Sequence, residues 1–117
     1  MYDNLYCKVF IDTNLCYEEI FLKIMNYIDG KKESFSDVVT NWCDMSIRKN
    51  KEYNKEQYLQ APDDFLYWKF YLDIEPIAVD EITYIKRIYE LLKYLKEYCN
   101  GVVAACDFEN ELNFGED

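Results

Sequence analysis

The side chains of this sequence that could do chemistry are carboxylates and thiols, because the chain contains no histidine. Histidine is the side chain most often used for proton transfer near neutral pH, and it is the commonest metal ligand. Its absence excludes most hydrolase triads. With only three glycines, the chain also lacks a glycine-rich loop that could cradle a phosphate. The sequence therefore predicts a protein that is not an enzyme and has no cofactor.

Acidic side chains alternate in two segments, where they could place oxygens on one side of a strand. Asp73 and Glu75 lie in the first segment, and Asp107, Glu109 and Glu111 lie in the second. Carboxylate oxygens at this spacing suit Mg²⁺ or Ca²⁺, but a solvated acidic strand end has the same pattern. We favour the solvated strand end and expect no metal site.

The five cysteines are odd in number and widely spaced, and no CxxC motif occurs. Small secreted domains that depend on disulfides usually carry even numbers of cysteines. The N-terminus does not have the basic and apolar regions of a secretion signal, and no apolar run approaches the roughly 18 residues of a membrane span. We therefore expect reduced thiols in a cytoplasmic protein.

The charge balance is strongly acidic, with 23 acidic and 13 basic residues and a formal net charge of −10. Such a charge repels phosphate backbones and anionic membranes within a Debye length, roughly 8 Å at physiological salt. Nucleic-acid binding needs a basic patch, and only Lys49, Lys51 and Lys55 approach one. We expect a cationic protein partner, and neither nucleic acid nor a membrane.

Length and hydrophobic periodicity predict one domain over residues 1–117, which ends in an acidic tail over 109–117. Half of the residues are hydrophobic, which is enough for a core at this length. Apolar alternation and helical spacing place the elements along the chain. The strands are predicted at 5–12, 37–48, 65–76 and 102–108, the helices at 15–29 and 80–100, and a long polar loop at 49–64.

The order strand, helix, strand, strand, helix, strand predicts an α+β fold. Right-handed crossovers favour a ferredoxin-like split βαβ sandwich (βαββαβ). This arrangement has a four-stranded antiparallel sheet, in the spatial order 4-1-3-2, with two helices on one face. The strand at 37–48 would then lie at an edge.

Alternation within the strands predicts an aromatic and acidic patch on the sheet face that the helices leave open. Exposed aromatic patches usually mark contacts with a partner. Acidic side chains would frame this patch. The predicted partner-binding residues, on this face and at the acidic strand end, are Tyr6, Phe10, Trp42, Asp44, Tyr67, Tyr71, Asp73, Glu75, Asp107, Glu109 and Glu111.

In size, acidity and lack of catalytic residues, the chain resembles the small acidic bacterial immunity proteins of secreted or contact-delivered polymorphic toxin systems. The segments FLYWKFYLDIEP (65–76) and VVAACDFENEL (102–112) carry this resemblance. The resemblance implies an antitoxin that neutralises a cationic toxin domain, such as a nuclease, through acidic and aromatic complementarity. It implies a role and assigns no individual residue.

Two other functions are compatible with the sequence. One is a small-molecule-binding or regulatory module of the same fold, which acts as a homodimer or through a pocket between sheet and helices. The other is an enzyme that uses carboxylates and a metal ion. The sequence also leaves open whether a partner docks on the open sheet face, on an edge strand or on the acidic tail.

Overall fold

The structure, a computed structural model, describes residues 2–112. Within them, six strands form one antiparallel sheet in the spatial order β2-β3-β4-β5-β1-β6, accompanied by three α-helices. The strands are β1 (Cys7–Asp12), β2 (Lys31–Lys32), β3 (Asp37–Val39), β4 (Cys43–Lys49), β5 (Phe70–Pro76) and β6 (Gly101–Cys106), and the helices are α1 (Tyr17–Ile28), α2 (Lys55–Gln60) and α3 (Glu81–Lys96). None of the helices in this part of the chain is long and apolar enough to cross a membrane.

The predicted α+β class with an antiparallel sheet is confirmed, but the sheet is larger than predicted. A short hairpin, β2–β3, extends it beyond β4, and α2 is a third helix. The counts of four strands and two helices are therefore wrong. The predicted strand at 37–48 is wrong in two respects, because it divides into β3 and β4, and β4 lies inside the sheet.

The division of that strand has a local cause in the hydroxyl of Thr40. This oxygen accepts the backbone N–H groups of Trp42 at 3.0 Å and Cys43 at 2.9 Å. A threonine hydroxyl that captures nearby backbone donors closes a turn and ends the strand ladder. The alternation of inward and outward side chains therefore restarts at β4.

The main core lies between one face of the sheet and the helices α1 and α3. In β5, Phe70, Leu72 and Ile74 are buried, while Asp73 and Glu75 point away from this core. The helices contribute their apolar stripes, as their spacing predicts. The buried helical residues are Ile20, Phe21, Ile24 and Ile28 of α1, and Tyr84, Ile85, Ile88, Leu91, Leu92 and Leu95 of α3.

Helix α3 is fixed to the sheet by polar contacts at its N-terminal end. Asp80 caps the helix, because its carboxylate accepts the backbone N–H of Thr83 at 3.0 Å. One turn later, the fully buried Tyr84 donates its hydroxyl to the carbonyl of Ile74 in β5 at 3.2 Å. The bond satisfies a phenol that would otherwise be costly to bury.

The opposite face of the sheet is partly covered by the connection between β4 and β5. This connection was predicted as a loop, but it contains α2 and a 3-10 helix at Phe65–Tyr67. The ring of Phe65 packs on Phe10 at a centroid distance of 5.2 Å, and Tyr58 donates its hydroxyl to Asp12 at 3.1 Å. The strand predicted at 65–76 therefore begins only at Phe70.

Candidate functional site

An acidic groove opens on the part of this second sheet face that the connection leaves uncovered. It runs beside β3, β4 and β5 and has a volume of about 430 Å³. Five of its lining residues are acidic, and within residues 2–112 none of them is basic. The groove is lined by Tyr6, Glu33, Asp37, Val38, Asp44, Met45, Ser46, Asp73 and Glu75.

Strand register brings these carboxylates together. Asp44 of β4 lies directly opposite Glu75 of β5, and Ser46 lies between Asp37 of β3 and Asp73 of β5. Side chains that oppose one another across neighbouring strands lie about 5 Å apart at their Cβ atoms. Like charges in such positions repel, so the sheet holds this cluster at a cost to its stability.

Two of the carboxylates accept neutral hydroxyl donors. Asp37 accepts the hydroxyl of Ser46 at 2.8 Å and that of Ser36 at 3.3 Å. Hydrogen bonds lower the pKa of Asp37 below its ordinary value, and the bond from Ser46 makes the largest contribution. The charge of Arg48 lowers this pKa as well, but less than the hydroxyl donors do.

Tyr6 closes the groove on the side of β1. Its hydroxyl donates to Asp73. Burial of the ring raises the pKa of Tyr6, and the hydrogen bond to Asp73 raises it further. The phenol consequently remains a neutral hydrogen-bond donor at physiological pH.

Tyr71 lies on the same sheet face, next to the groove. It is the cross-strand partner of Phe10, with 6.3 Å between the ring centroids. The ammonium of Lys8 lies 4.2 Å from the centre of the Tyr71 ring, which is a cation–π contact. Tyr71 is half-buried, so part of the ring can still meet a partner.

Three predicted aromatic contacts differ from the prediction in exposure or in position. Phe10 points to the expected face but is only 6% exposed, because Phe65 covers it. Trp42 is buried in the core, where its ring meets Tyr84 edge to face at 6.0 Å. Tyr67 belongs to the 3-10 helix and not to a strand of the sheet. The predictions of an exposed Phe10, an exposed Trp42 and a sheet-borne Tyr67 are therefore wrong.

The acidic residues that follow β6 do not reach the groove. Glu109 and Glu111 belong to a 3-10 helix at Glu109–Leu112, and Glu111 accepts the hydroxyl of Tyr2. Asp107 is exposed in the turn before this helix. The rest of the predicted tail, residues 113–117, lies outside the described residues. In the described part of the chain, no three Cys, Asp or Glu side chains form a group that could hold a metal ion.

The sequence interpretation missed two groove residues, Glu33 and Asp37. Both come from the hairpin β2–β3, whose strands are only two and three residues long. The buried Val38 between Asp37 and Val39 was the available signal. It indicates that Asp37 faces away from the core, but only once the turn at Thr40 is known.

A second groove, here called the basic groove, lies between α1 and the hairpin β2–β3. It has a volume of about 390 Å³ and a mainly apolar lining. Phe35 is 91% exposed at its rim, and the ammonium of Lys32 lies 5.3 Å from the ring centre of Phe21. The lining residues are Tyr17, Glu18, Phe21, Leu22, Met25, Lys32, Phe35 and Lys49.

The geometry of the acidic groove suits recognition of positive charge. Its carboxylates can accept hydrogen bonds from guanidinium or ammonium groups, and the half-buried rings of Tyr6 in its lining and Tyr71 next to it offer flat contact surfaces. Comparison with known proteins finds no matching family model, no similar curated protein and no similar solved structure.

Proposed function

We propose that this protein is a non-enzymatic inhibitor, an immunity protein that neutralises a cationic bacterial toxin in the cytoplasm. The observation that supports the proposal is the acidic groove, in which five carboxylates surround about 430 Å³ of space. Concentrated charge of one sign speeds the encounter with an oppositely charged partner and disfavours like-charged ones. A nuclease is the toxin class that we favour, because its substrate cleft must attract phosphates.

The position of the charge favours recognition over simple solubility. Acidic side chains scattered over the surface would keep the protein soluble without placing like charges side by side. Here Asp44 and Glu75 are direct cross-strand partners, an arrangement that lowers stability. A stability cost confined to one surface is typical of a binding site.

The proposed contact surface combines this charge with two tyrosines. Tyr6 lines the acidic groove, and Tyr71 lies two residues before the groove residue Asp73 on the same face of β5. Partly buried aromatic rings that are already held in place contribute much of the binding energy in protein interfaces. We therefore assign Tyr6 and Tyr71 as anchors, with Asp44, Asp73 and Glu75 as charged contacts.

We also infer that the fold is a ferredoxin-like sandwich with an added hairpin. The order β4-β5-β1-β6 within the sheet matches the 4-1-3-2 order of that arrangement and supports the inference. The hairpin β2–β3 then appears as an extension that supplies Glu33 and Asp37 to the acidic groove. On this view, the binding site is built partly on the added element.

The proposal can be tested by affinity capture from the native bacterium followed by mass spectrometry. The wild-type protein is compared with a double variant, Asp44→Lys with Glu75→Lys, and with a control of equal charge change, Glu52→Lys with Glu97→Lys. Neither control residue lines the acidic groove. We expect the wild type and the control to capture the same basic protein, and the groove variant to lose it.

The captured domain should then arrest growth when it is expressed alone in a bacterial host, and co-expression of this protein should restore growth. Association with the purified domain should slow at least about tenfold in the groove variant and depend less on salt. Equal capture by both double variants would reject the acidic groove as the docking surface. A captured partner that is acidic, or harmless to the host, would reject the immunity function.

A second candidate function, binding of a small anionic amphiphile, is favoured by the basic groove. Its volume of about 390 Å³ lies within the range of small-molecule sites, and its lining is mainly apolar. Lys32 and Lys49 border it and would pair with the head group of a carboxylate. Phe35, 91% exposed, would be covered by the ligand's apolar chain.

Calorimetric titration with decanoate tests this second function. Decanoate should bind, whereas the neutral alcohol of the same length should bind at least about tenfold more weakly, because it cannot pair with the two ammonium groups. Lys32→Glu with Lys49→Glu should abolish decanoate binding, while Lys86→Glu with Lys93→Glu should not. Equal affinity for decanoate and the alcohol would contradict the assignment.

A further inference from the structure

Two of the five cysteines face each other across neighbouring strands. Cys7 of β1 is the direct register partner of Cys106 of β6. Opposed residues of an antiparallel pair have Cα atoms about 4.5 or 5.5 Å apart, and both distances fall within the roughly 4.4–6.8 Å that a disulfide spans. The separation of the two strands at this pair is therefore one that a disulfide can span.

The side chains of this pair also point to the same side of the sheet. Cys7 alternates with Val9 and Ile11, which are fully buried in the main core, and Cys106 packs against that core from the edge strand. Direct cross-strand partners always share a face. The two thiols therefore lie next to each other on the core side of the sheet, near its edge.

The two thiols differ in their access to solvent. Cys7 has no exposed surface, whereas Cys106 is half-buried. The pKa of Cys106 is lowered, chiefly by a hydrogen bond from the Cys7 thiol and also by the backbone N–H of Phe108, while burial and the nearby carboxylates of Glu109 and Asp107 oppose this effect. The same contact with Cys106, together with burial, raises the pKa of Cys7. Cys106 is thus the more accessible of the two thiols and the more readily ionised, and the thiolate is the nucleophile in thiol chemistry.

The other three cysteines lack this arrangement. Cys43 is opposite Pro76 in the sheet, and its pKa is raised by burial to about 11. Cys16 and Cys99 lie outside the strands described between residues 2 and 112. No second pair of directly opposed cysteines occurs in that part of the chain.

We propose that Cys106 is an oxidation site for peroxides and that Cys7 resolves the oxidised form into an intramolecular disulfide. In the first step, the thiolate of Cys106 attacks one oxygen of hydrogen peroxide, forming sulfenic acid and releasing hydroxide. In the second, the sulfur of Cys7 attacks the sulfenic sulfur. The S–OH bond breaks, and the proton of Cys7 leaves with that hydroxyl as water. Oxidation of the two thiols to a disulfide releases two electrons in total, and these electrons reduce the peroxide.

The product would join the edge strand β6 covalently to its neighbour β1. β6 pairs only with β1 among the described strands, so its attachment otherwise depends on one ladder of hydrogen bonds and on packing. The bridge would close a loop of nearly the whole chain, and long loops give large stabilisation by a disulfide. Neither cysteine lines either groove, so the inference does not depend on the proposed function.

Limited treatment of the folded protein with hydrogen peroxide tests the proposal. The number of free thiols should fall from five by two, and the protein should lose two hydrogen atoms in mass without forming dimers. Digestion under non-reducing conditions should yield one cross-linked peptide pair containing Cys7 and Cys106. The midpoint of urea unfolding should rise, and a thiol reductant should reverse all of these changes.

Three variants test the order of the two steps. Cys106→Ser should resist oxidation at the same peroxide dose, and Cys7→Ser should accumulate a sulfenic acid at Cys106 that dimedone traps. Cys16→Ser should oxidise like the wild type. If the wild type instead reacts first at Cys16 and forms intermolecular dimers, the proposal is wrong. This readout comes from the wild-type protein, so it holds even if a core variant fails to fold.

Discussion

Reversing the charge of one groove residue should make the protein more stable, although it removes a proposed contact. Glu75 lies opposite Asp44, with Cβ atoms about 5 Å apart in such pairs. Two unit charges at that distance in water repel by about 0.8 kcal/mol, and a Debye length of about 8 Å reduces this to roughly 0.4 kcal/mol. Glu75→Lys turns the repulsion into attraction, a change of roughly 0.9 kcal/mol. Glu33, Asp37 and Asp73 act in the same direction from further away.

Salt dependence identifies this gain as electrostatic. At about 0.01 M salt the Debye length is about 30 Å, and the expected gain for Glu75→Lys rises to roughly 1.4 kcal/mol. Urea unfolding at low and at physiological salt measures both values. With a slope of about 2 kcal/mol per molar urea, the midpoint should move by roughly 0.4–0.7 M.

Glu52→Lys is the matched control. Glu52 is exposed and follows Lys51 in the chain, and its reversal raises the net charge by the same amount. It should not stabilise the protein, because it adds a cation beside another cation. Combining Glu75→Lys with Asp44→Asn should lower the gain by about half. Equal stabilisation by Glu52→Lys and Glu75→Lys would refute the pairwise reasoning, because total charge alone would then explain it.

Two further predictions concern packing and acid stability. Gly101→Ala should destabilise the fold by about 1–3 kcal/mol in urea unfolding, because the added Cβ would lie 2.5 Å from Cη2 of the buried Trp68 ring; Trp68→Leu should relieve part of this loss. Hydroxyl donors hold the pKa of Asp37 below 3.8 in the folded protein. At pH values above the unfolded-state pKa, their bonds to the charged carboxylate stabilise the fold. This contribution is lost as the pH falls through the folded-state pKa. Asp37→Asn should therefore lose less stability than the wild type between about pH 5 and pH 2, and parallel pH curves would contradict this.

Regular alternation allowed the central strands to be predicted from the sequence. In β5, Leu72 and Ile74 point into the core while Tyr71 and Asp73 point away, as a two-residue period requires. The same holds for β1, where Val9 is fully buried. These strands are long enough for the period to be evident in the sequence alone.

The errors arise where a distant contact or a turn overrides the local pattern. FLYW at the start of the predicted third strand alternates too, but Phe65 leaves the sheet to cover Phe10 on the neighbouring strand. Trp42 was assigned to a strand face because the turn made by Thr40 is not apparent from alternation. In each case, the position of the side chain is determined by a contact between residues whose relation does not follow from the two-residue period.

The acidic groove depends on a further property that composition does not reveal, namely how its charge is held. Lys8 of β1 is the direct cross-strand partner of Asp73, but its ammonium lies over the Tyr71 ring, 4.2 Å from the ring centre. The hydrogen bond to Asp73 comes instead from the neutral hydroxyl of Tyr6. The hydroxyl of Ser46 likewise donates to Asp37. Neutral hydroxyls thus supply the hydrogen bonds that orient these acids, so a cationic partner meets carboxylates that need little rearrangement on binding. Tyr6→Phe should consequently weaken such a partner's binding while leaving the net charge of the surface unchanged.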